Sequence, residues 1–160
     1  MRLLFVCLGN ICRSPTAEGV MRELVEREGL AESIEVDSAG TGDWHVGSPP
    51  DARAAAAASA RGVELRGIAR QARSADFAEF DLLLAMDEDN VRDLLAIAPD
   101  AGARSKVRLL REFDPVAVQA ASLSVPDPYY GGERGFEDVL DLVQVACEGL
   151  LADIRVRPAR

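Results

Sequence analysis

A cysteine and an arginine stand close together near the start of the chain, in the stretch LLFVCLGNICRSP at residues 3–15. Cys7 ends an apolar run, and five residues separate it from Arg13, which Ser14 and Pro15 follow. A loop that joins a buried strand to a helix turns its backbone N–H groups toward one point at the positive helix terminus, and so binds anions. The helix terminus and the guanidinium both favour the thiolate form of a cysteine. The pattern predicts a nucleophile inside a phosphate-binding loop, and therefore covalent phosphoryl transfer.

This chemistry also needs a proton donor, because a thiolate that attacks phosphorus expels an alkoxide or a phenoxide. The best candidate is Asp127 in the segment VPDPYYGG. Pro126 and Pro128 restrict the backbone on both sides of this aspartate, which fits a carboxyl group held in a fixed place. Tyr129 and Tyr130 follow, and they are predicted to form the walls of a slot for a planar ring.

Composition narrows the class of protein. The 160 residues indicate one domain, and the apolar residues make up 48% of the chain. No apolar run approaches the roughly 20 residues of a membrane span, and no export signal is recognised, so we expect a cytoplasmic protein that does not enter membranes. The three cysteines then fit a reducing compartment. The net charge of −9 argues against nucleic acid as a partner, and a single histidine argues against a metal site.

Predicted strands and helices alternate along the chain. The strands are expected at residues 2–6, 34–37, 80–86 and 106–110. The helices are expected at residues 15–28, 51–61, 87–98 and 136–155, with a loop at residues 38–50. This order is typical of an α/β fold with a parallel sheet and helices on both faces. Ligands of such sheets bind beyond the carboxyl ends of the strands, which is where the Cys7 loop lies.

Three segments together resemble the low-molecular-weight protein tyrosine phosphatase family: VCLGNICRSP at 6–15, DSAGTGDW at 37–44 and DPYYG at 127–131. The similarity extends over nearly the whole chain. It implies one phosphatase domain over residues 1–160, folded as a flavodoxin-like three-layer sandwich with strand order 2-1-3-4. The implied substrates are phosphotyrosine-containing proteins. The implied inhibitors are inorganic phosphate and vanadate, and neither a cofactor nor a metal is implied.

The resemblance also implies roles for individual residues. Cys7 would form a cysteinyl-phosphate intermediate, while Arg13 and the loop amides would hold the phosphoryl oxygens. Asp127 would protonate the leaving tyrosine and then activate water, and Ser14 would hydrogen-bond the sulfur. Asn10 would brace the loop, with Ser38 as its partner. The rest of the phosphate-binding loop would be Leu8, Gly9, Ile11 and Cys12, and the slot would be lined by Leu8, Trp44, Tyr129 and Tyr130.

Some residues have two interpretations. In the family, a cysteine at the position of Cys12 can form a reversible disulfide with the nucleophile, but a packed thiol without a role is an equal alternative. Cys147 is expected in the core, and His45 on the surface of its loop. The acidic run that begins at Asp87 is expected to serve a helix dipole, although Asp87 follows a strand and could approach the site.

The chain departs from the family pattern at Gly67, where many members carry a histidine that joins the bracing network around the asparagine. The sequence leaves open what replaces that histidine. Two other activities share this scaffold. Arginine-phosphate phosphatases typically have threonine at the position of Ile11 and phenylalanine at that of Tyr129, so both residues favour phosphotyrosine. Thioredoxin-coupled arsenate reductases need two further cysteines, and Cys147 alone follows Cys12. A non-catalytic phosphate-binding domain is the third alternative.

Overall fold

Four parallel strands form the sheet in the computed structural model, which describes residues 1–129, 132 and 134–156. The strands are β1 (Arg2–Cys7), β2 (Glu35–Gly40), β3 (Leu82–Ala85) and β4 (Val107–Leu109). Their order in the sheet is β2-β1-β3-β4, and every neighbouring pair is parallel. The predicted fold class and strand order are therefore confirmed.

Seven α-helices and one 3-10 helix lie among the described residues. They are α1 (Arg13–Arg27), α2 (Ala52–Ser59), α3 (Asp76–Glu79), α4 (Glu88–Ile97), α5 (Ala101–Arg104), the 3-10 helix (Leu110–Phe113), α6 (Pro115–Ala120) and α7 (Gly135–Val156). The four predicted helices are found, with their ends shifted by up to two residues. The prediction of a loop from residue 38 onward was wrong, because β2 continues to Gly40.

The short helices were not predicted, although two of them begin at recognisable signals. Asp100 caps α5, since its side chain accepts a hydrogen bond from the backbone N–H of Ala103 at 2.7 Å. Asp114 caps α6 in the same way, and Pro115 occupies the first helical position. An aspartate before a proline is a typical helix start, so α6 could have been predicted from the sequence.

Alternate residues of β1 belong to two different apolar clusters, one on each face of the sheet. Leu3 and Phe5 pack with residues of α1 and α7, whereas Leu4 and Val6 pack with Leu94 of α4 and other residues. Full burial of such side chains contributes about 1.5–3 kcal/mol each relative to exposure. Among the described residues, no helix has both the length and the apolar character needed to cross a bilayer.

The carboxyl ends of the three longer strands bring distant segments together. Cys7 at the end of β1 pairs in register with Gly40 at the end of β2. The chain leaves β3 toward Asp87, which caps α4. The backbone N–H of Val125 donates to the carbonyl of Met86 at 2.7 Å, which places the segment around Asp127 beside the end of β3.

Candidate active site

The loop between β1 and α1 surrounds the sulfur of Cys7 with hydrogen-bond donors. The backbone N–H of Asn10 donates to Cys7 Sγ at 3.2 Å, and Ser14 Oγ lies 3.0 Å from the same sulfur. Cys12 occupies the N-cap position of α1, and no side chain caps this helix end. The free N–H groups of the first turn therefore remain available to an anion.

Asn10 holds the loop in an unusual conformation. Its φ of 57° is left-handed, which asparagine tolerates better than most residues. Its Nδ2 donates to Ser14 Oγ at 2.8 Å and to Ser38 Oγ at 2.9 Å, and its Oδ1 accepts from the backbone N–H of Arg70 at 3.1 Å. Three segments of the chain thus fix one buried side chain, and they offset the cost of its backbone conformation.

Glu18 extends this network. The sequence had left open which group takes part in it where many family members have a histidine and this chain has Gly67. Ser38 Oγ donates to Glu18 Oε1 at 2.7 Å, and the other oxygen of this buried carboxylate pairs with Arg22. Gly67 has a left-handed φ of 83°, and no atom lies within 4 Å of where its Cβ would be. A cavity of about 130 Å³ separates Gly67 from Glu18 and Ser38. A glutamate on α1 therefore anchors the bracing network in this chain.

Arg13 is held from two sides at the mouth of the loop. Its Nη1 donates to Asp87 Oδ2 at 2.6 Å and to the carbonyl of Val125 at 3.0 Å. Its Nη2 lies 3.7 Å from Asp127 Oδ2. Asp87 also accepts a hydrogen bond from the backbone N–H of Asn90 at 2.8 Å, so the same carboxylate caps α4 and orients Arg13. The sequence predicted the first of these roles and only the proximity needed for the second.

One cavity of about 430 Å³ brings the predicted residues together. Its lining comprises Cys7, Leu8, Gly9, Ile11, Cys12, Arg13, Trp44, His45, Asp127 and Tyr129. Asn10 within the loop, Ser14 at the start of α1 and Ser38 on β2 are buried and do not line this cavity. Tyr130 lies outside the described residues. The side chains thus form a polar floor at Cys7 and Arg13 with apolar and aromatic walls above it.

His45 does more than lie on the surface of its loop, since it is half-buried and lines the cavity. Its side chain covers Gly9, since a Cβ added to this glycine would lie 2.9 Å from His45 Cδ2. Its ring centroid is 6.1 Å from that of Tyr129, so both rings border the same opening. Trp44 next to it is 72% exposed and lies at the rim of the cavity. The loop turns back over the phosphate-binding loop, which the spacing of residues did not reveal.

The three cysteines are free thiols in different surroundings. Burial, with a smaller contribution from the Asp51 carboxylate, raises the pKa of Cys12 to about 12. Burial in the core beneath α7 raises the pKa of Cys147 as well. Cys12 and Cys147 are therefore protonated at neutral pH. Among the described residues, no group of three or more His, Cys, Asp or Glu side chains is arranged to hold a metal ion.

Comparisons with known proteins agree with this geometry. The family model described as low molecular weight phosphotyrosine protein phosphatase matches residues 2–158. A low molecular weight protein-tyrosine-phosphatase from Streptomyces coelicolor is 49% identical over 154 residues, which cover 96% of this chain and 93% of the relative.

Solved structures extend the comparison to the fold. A protein tyrosine phosphatase from Entamoeba histolytica superposes with a TM-score of 0.91 at 42% identity, covering 97% of each chain. An arginine phosphatase from Drosophila superposes with a TM-score of 0.90 at 31% identity, over 99% of this chain and 100% of the other. On these matches, the chain belongs to the low molecular weight phosphotyrosine protein phosphatase family.

Proposed function

We propose that this protein hydrolyses phosphotyrosine in proteins through a covalent phosphocysteine at Cys7. The observation that carries the proposal is that Cys7, Arg13 and Asp127 line one cavity. A nucleophile, a fixed cation and a carboxyl group are the three parts that such a reaction needs. The single domain over residues 1–160 is proposed to supply all of them.

In the first step, the sulfur of Cys7 bonds to phosphorus while the bond between phosphorus and the tyrosine oxygen breaks. Asp127 gives its proton to that oxygen, so that tyrosine leaves as a neutral phenol. Arg13 and the N–H groups at the start of α1 hold the equatorial oxygens, where negative charge is spread in the transition state. Because Asp87 already orients the guanidinium, little reorganisation accompanies binding.

In the second step, Asp127 takes a proton from a water molecule whose oxygen attacks phosphorus. The bond between sulfur and phosphorus breaks, and Cys7 leaves as a thiolate. The hydroxyl of Ser14 and the backbone N–H of Asn10 lie at 3.0 Å and 3.2 Å from that sulfur. Hydrogen bonds to a charged sulfur lower the energy of the departing thiolate, so the bracing network serves this half of the reaction most directly.

A substrate panel tests the proposed activity. We expect hydrolysis of phosphotyrosine peptides and p-nitrophenyl phosphate, with inorganic phosphate and vanadate as competitive inhibitors. Phosphoarginine peptides and arsenate with thioredoxin are the comparison substrates, and the buried apolar Ile11 in the cavity wall favours an aromatic ring over a guanidinium. Faster turnover of phosphoarginine than of phosphotyrosine would identify the protein as an arginine phosphatase. No hydrolysis of any of these phosphates would contradict the proposal.

Asp127→Asn is expected to lower kcat/KM for phosphotyrosine peptides by about 10²–10⁴-fold, because the amide has no proton to give. The loss should be smallest for p-nitrophenyl phosphate, whose leaving group needs little protonation. Steady-state kinetics on aryl phosphates of graded leaving-group acidity measures this difference. An equal loss for all substrates would mean that another group is the acid.

Cys12 is proposed as the redox partner of Cys7, acting in a reducing, cytoplasmic environment. Peroxide converts the Cys7 thiolate to a sulfenic acid, and the Cys12 thiolate then attacks that sulfur, forming a disulfide and expelling hydroxide. Because burial raises the pKa of Cys12 to about 12, its thiolate fraction rises about tenfold per pH unit below that value. Disulfide formation after a peroxide pulse should accelerate accordingly between pH 7 and pH 9, as mass spectrometry of quenched samples would record. With peroxide in excess, Cys7 of Cys12→Ser should be oxidised beyond the sulfenic acid to the sulfinic acid, from which thiol reductants do not restore activity. Full recovery under these conditions would contradict the pairing.

A further inference from the structure

Arg53, near the start of α2, lies between the phosphate-binding loop and the acid loop, a name used here for residues 125–129. It is not part of the cavity lining, and the family resemblance gave it no role. Its contacts nevertheless reach both loops, directly on one side and through Asp51 on the other.

The contact with the phosphate-binding loop runs through Asp51, the N-cap of α2. The backbone N–H of Asp51 donates to the carbonyl of Ile11 at 2.8 Å. The carboxylate of Asp51 accepts from Arg53 Nε at 3.2 Å and from Arg53 Nη2 at 3.0 Å. These hydrogen bonds hold the pKa of Asp51 below its ordinary value, which keeps the pair charged. The guanidinium is therefore fixed relative to the loop that carries Cys7.

The contact with the acid loop is direct. Arg53 Nη1 donates to the carbonyl of Tyr129 at 3.4 Å. The guanidinium carbon lies 5.4 Å from the centroid of the Tyr129 ring and 4.8 Å from that of the Phe136 ring, which are cation–π distances. Tyr129 in turn donates its backbone N–H to Asp127 Oδ1 at 3.0 Å. Arg53 thus holds the residue whose backbone holds the carboxyl group of Asp127.

We propose that Arg53 is a positioning residue that sets the distance of Asp127 from the phosphate-binding loop. The inference rests on the proposed role of Asp127 as the acid. The start of the acid loop is fixed at Val125, but the side chain of Asp127 is 40% exposed and lies 3.7 Å from Nη2 of Arg13. A small displacement of a general acid lowers the rate steeply, because proton transfer depends on a short donor–acceptor distance.

The same geometry predicts little effect on folding. The side chain of Arg53 is half exposed, and solvent screening leaves such ion pairs a small share of the free energy of unfolding. Its contacts therefore matter for the placement of one loop more than for the stability of the domain. A variant without the Arg53 side chain should therefore stay folded while its acid loop is displaced.

The experiment measures kcat/KM of Arg53→Ala on phenyl phosphate, which needs a proton donor, and on p-nitrophenyl phosphate, which needs one far less. We expect a loss of about 10- to 100-fold on the first substrate and a clearly smaller loss on the second. Combined with Asp127→Asn, the substitution should cost almost nothing more, because the group that it positions is gone. Equal losses on both substrates, or losses that multiply in the double variant, would overturn the proposal.

Matched variants distinguish the positioning of Asp127 from a general effect of the substitution on the structure. Asp51→Asn keeps a side chain that can cap α2 but removes the ion pair, and it should show a weaker form of the Arg53→Ala pattern. Arg61→Ala is the control, since Arg61 forms ion pairs with Glu137 and Asp141 of α7 rather than with residues of the acid loop. It should retain full activity on both substrates. Guanidinium ion added at millimolar concentration should partly restore Arg53→Ala and leave Arg61→Ala unchanged.

The outcomes distinguish this inference from the proposed function. If Asp127→Asn alone shows no dependence on the leaving group, the assignment of the acid fails, whatever Arg53 does. If Asp127→Asn shows the dependence and Arg53→Ala does not, the acid stands and the positioning role of Arg53 is overturned.

Discussion

Replacement of Cys7 by serine is expected to lower kcat for phosphotyrosine peptides by about 10⁶-fold, the order of loss known for removal of the nucleophile of a covalent hydrolase. A serine hydroxyl is a far weaker nucleophile than a thiolate, and the loop has no base placed to activate it. Binding of inorganic phosphate should persist, since Arg13 and the N–H groups at the start of α1 are unchanged. Stopped-assay kinetics and titration calorimetry measure the two quantities.

Cys147→Ala is the matched control for this substitution. It removes a buried thiol from the core beneath α7, away from the cavity, so it should lower the midpoint of thermal unfolding and leave kcat unchanged. Acid-quenched wild-type enzyme should carry phosphate on Cys7, as detected by mass spectrometry, and Cys7→Ser should carry none. Substantial turnover by Cys7→Ser would disprove the covalent mechanism.

Replacement of Arg13 by lysine should lower kcat/KM by about 10³–10⁵-fold, the range observed when a phosphoryl-transfer site loses its arginine. Lysine keeps the charge but lacks the planar guanidinium. In Arg13, Nη1 donates to Asp87 and to the carbonyl of Val125, which leaves the other N–H groups for the phosphoryl oxygens. A single ammonium group cannot do both. Phosphate affinity should fall together with the rate. Steady-state kinetics and calorimetry on the same preparation would record both.

The control for this change is Arg27→Lys, the same substitution on the exposed end of the same helix. It should leave both the rate and the phosphate affinity at the wild-type values. Since Arg13 is buried, thermal unfolding of Arg13→Lys must be measured as well, and the kinetic comparison holds at temperatures where both variants are folded. Near-normal kcat/KM in folded Arg13→Lys would show that charge alone suffices.

The order of the elements could be predicted from the sequence where the signal is local, as in the strand, loop and helix around Cys7. The sequence also named Cys7, Arg13 and Asp127, and these three side chains line one cavity. Glu18 was not predicted, although Ser14, Glu18 and Arg22 are spaced four apart on α1 and so share one helix face. The expected strand order placed β2 beside β1, but it did not reveal that this face of α1 meets Ser38.

Contacts between distant segments account for the other omissions. Asp87 approaches Arg13 from the end of β3, the neighbour of β1; the sequence allowed this approach, but it did not predict the 2.6 Å contact with the guanidinium. His45 lines the cavity because its loop turns back over Gly9, where a side chain would occupy the space of the imidazole. In both cases the side chain is of a type that can make the contact, but whether the two segments meet depends on the tertiary fold.

The left-handed backbone at Gly67 opposes the placement of the family's histidine at this position of the chain. A histidine introduced at this position would meet a backbone conformation that costs a residue with a side chain about 1–2 kcal/mol. The neighbouring backbone cannot adjust freely, because Ala69 bonds Ser48 and Arg70 bonds Asn10. A histidine could stand here only together with a change in the local path of the chain. With glycine at this position, the network around Asn10 and Ser38 depends on the Glu18 carboxylate, which Arg22 holds in place.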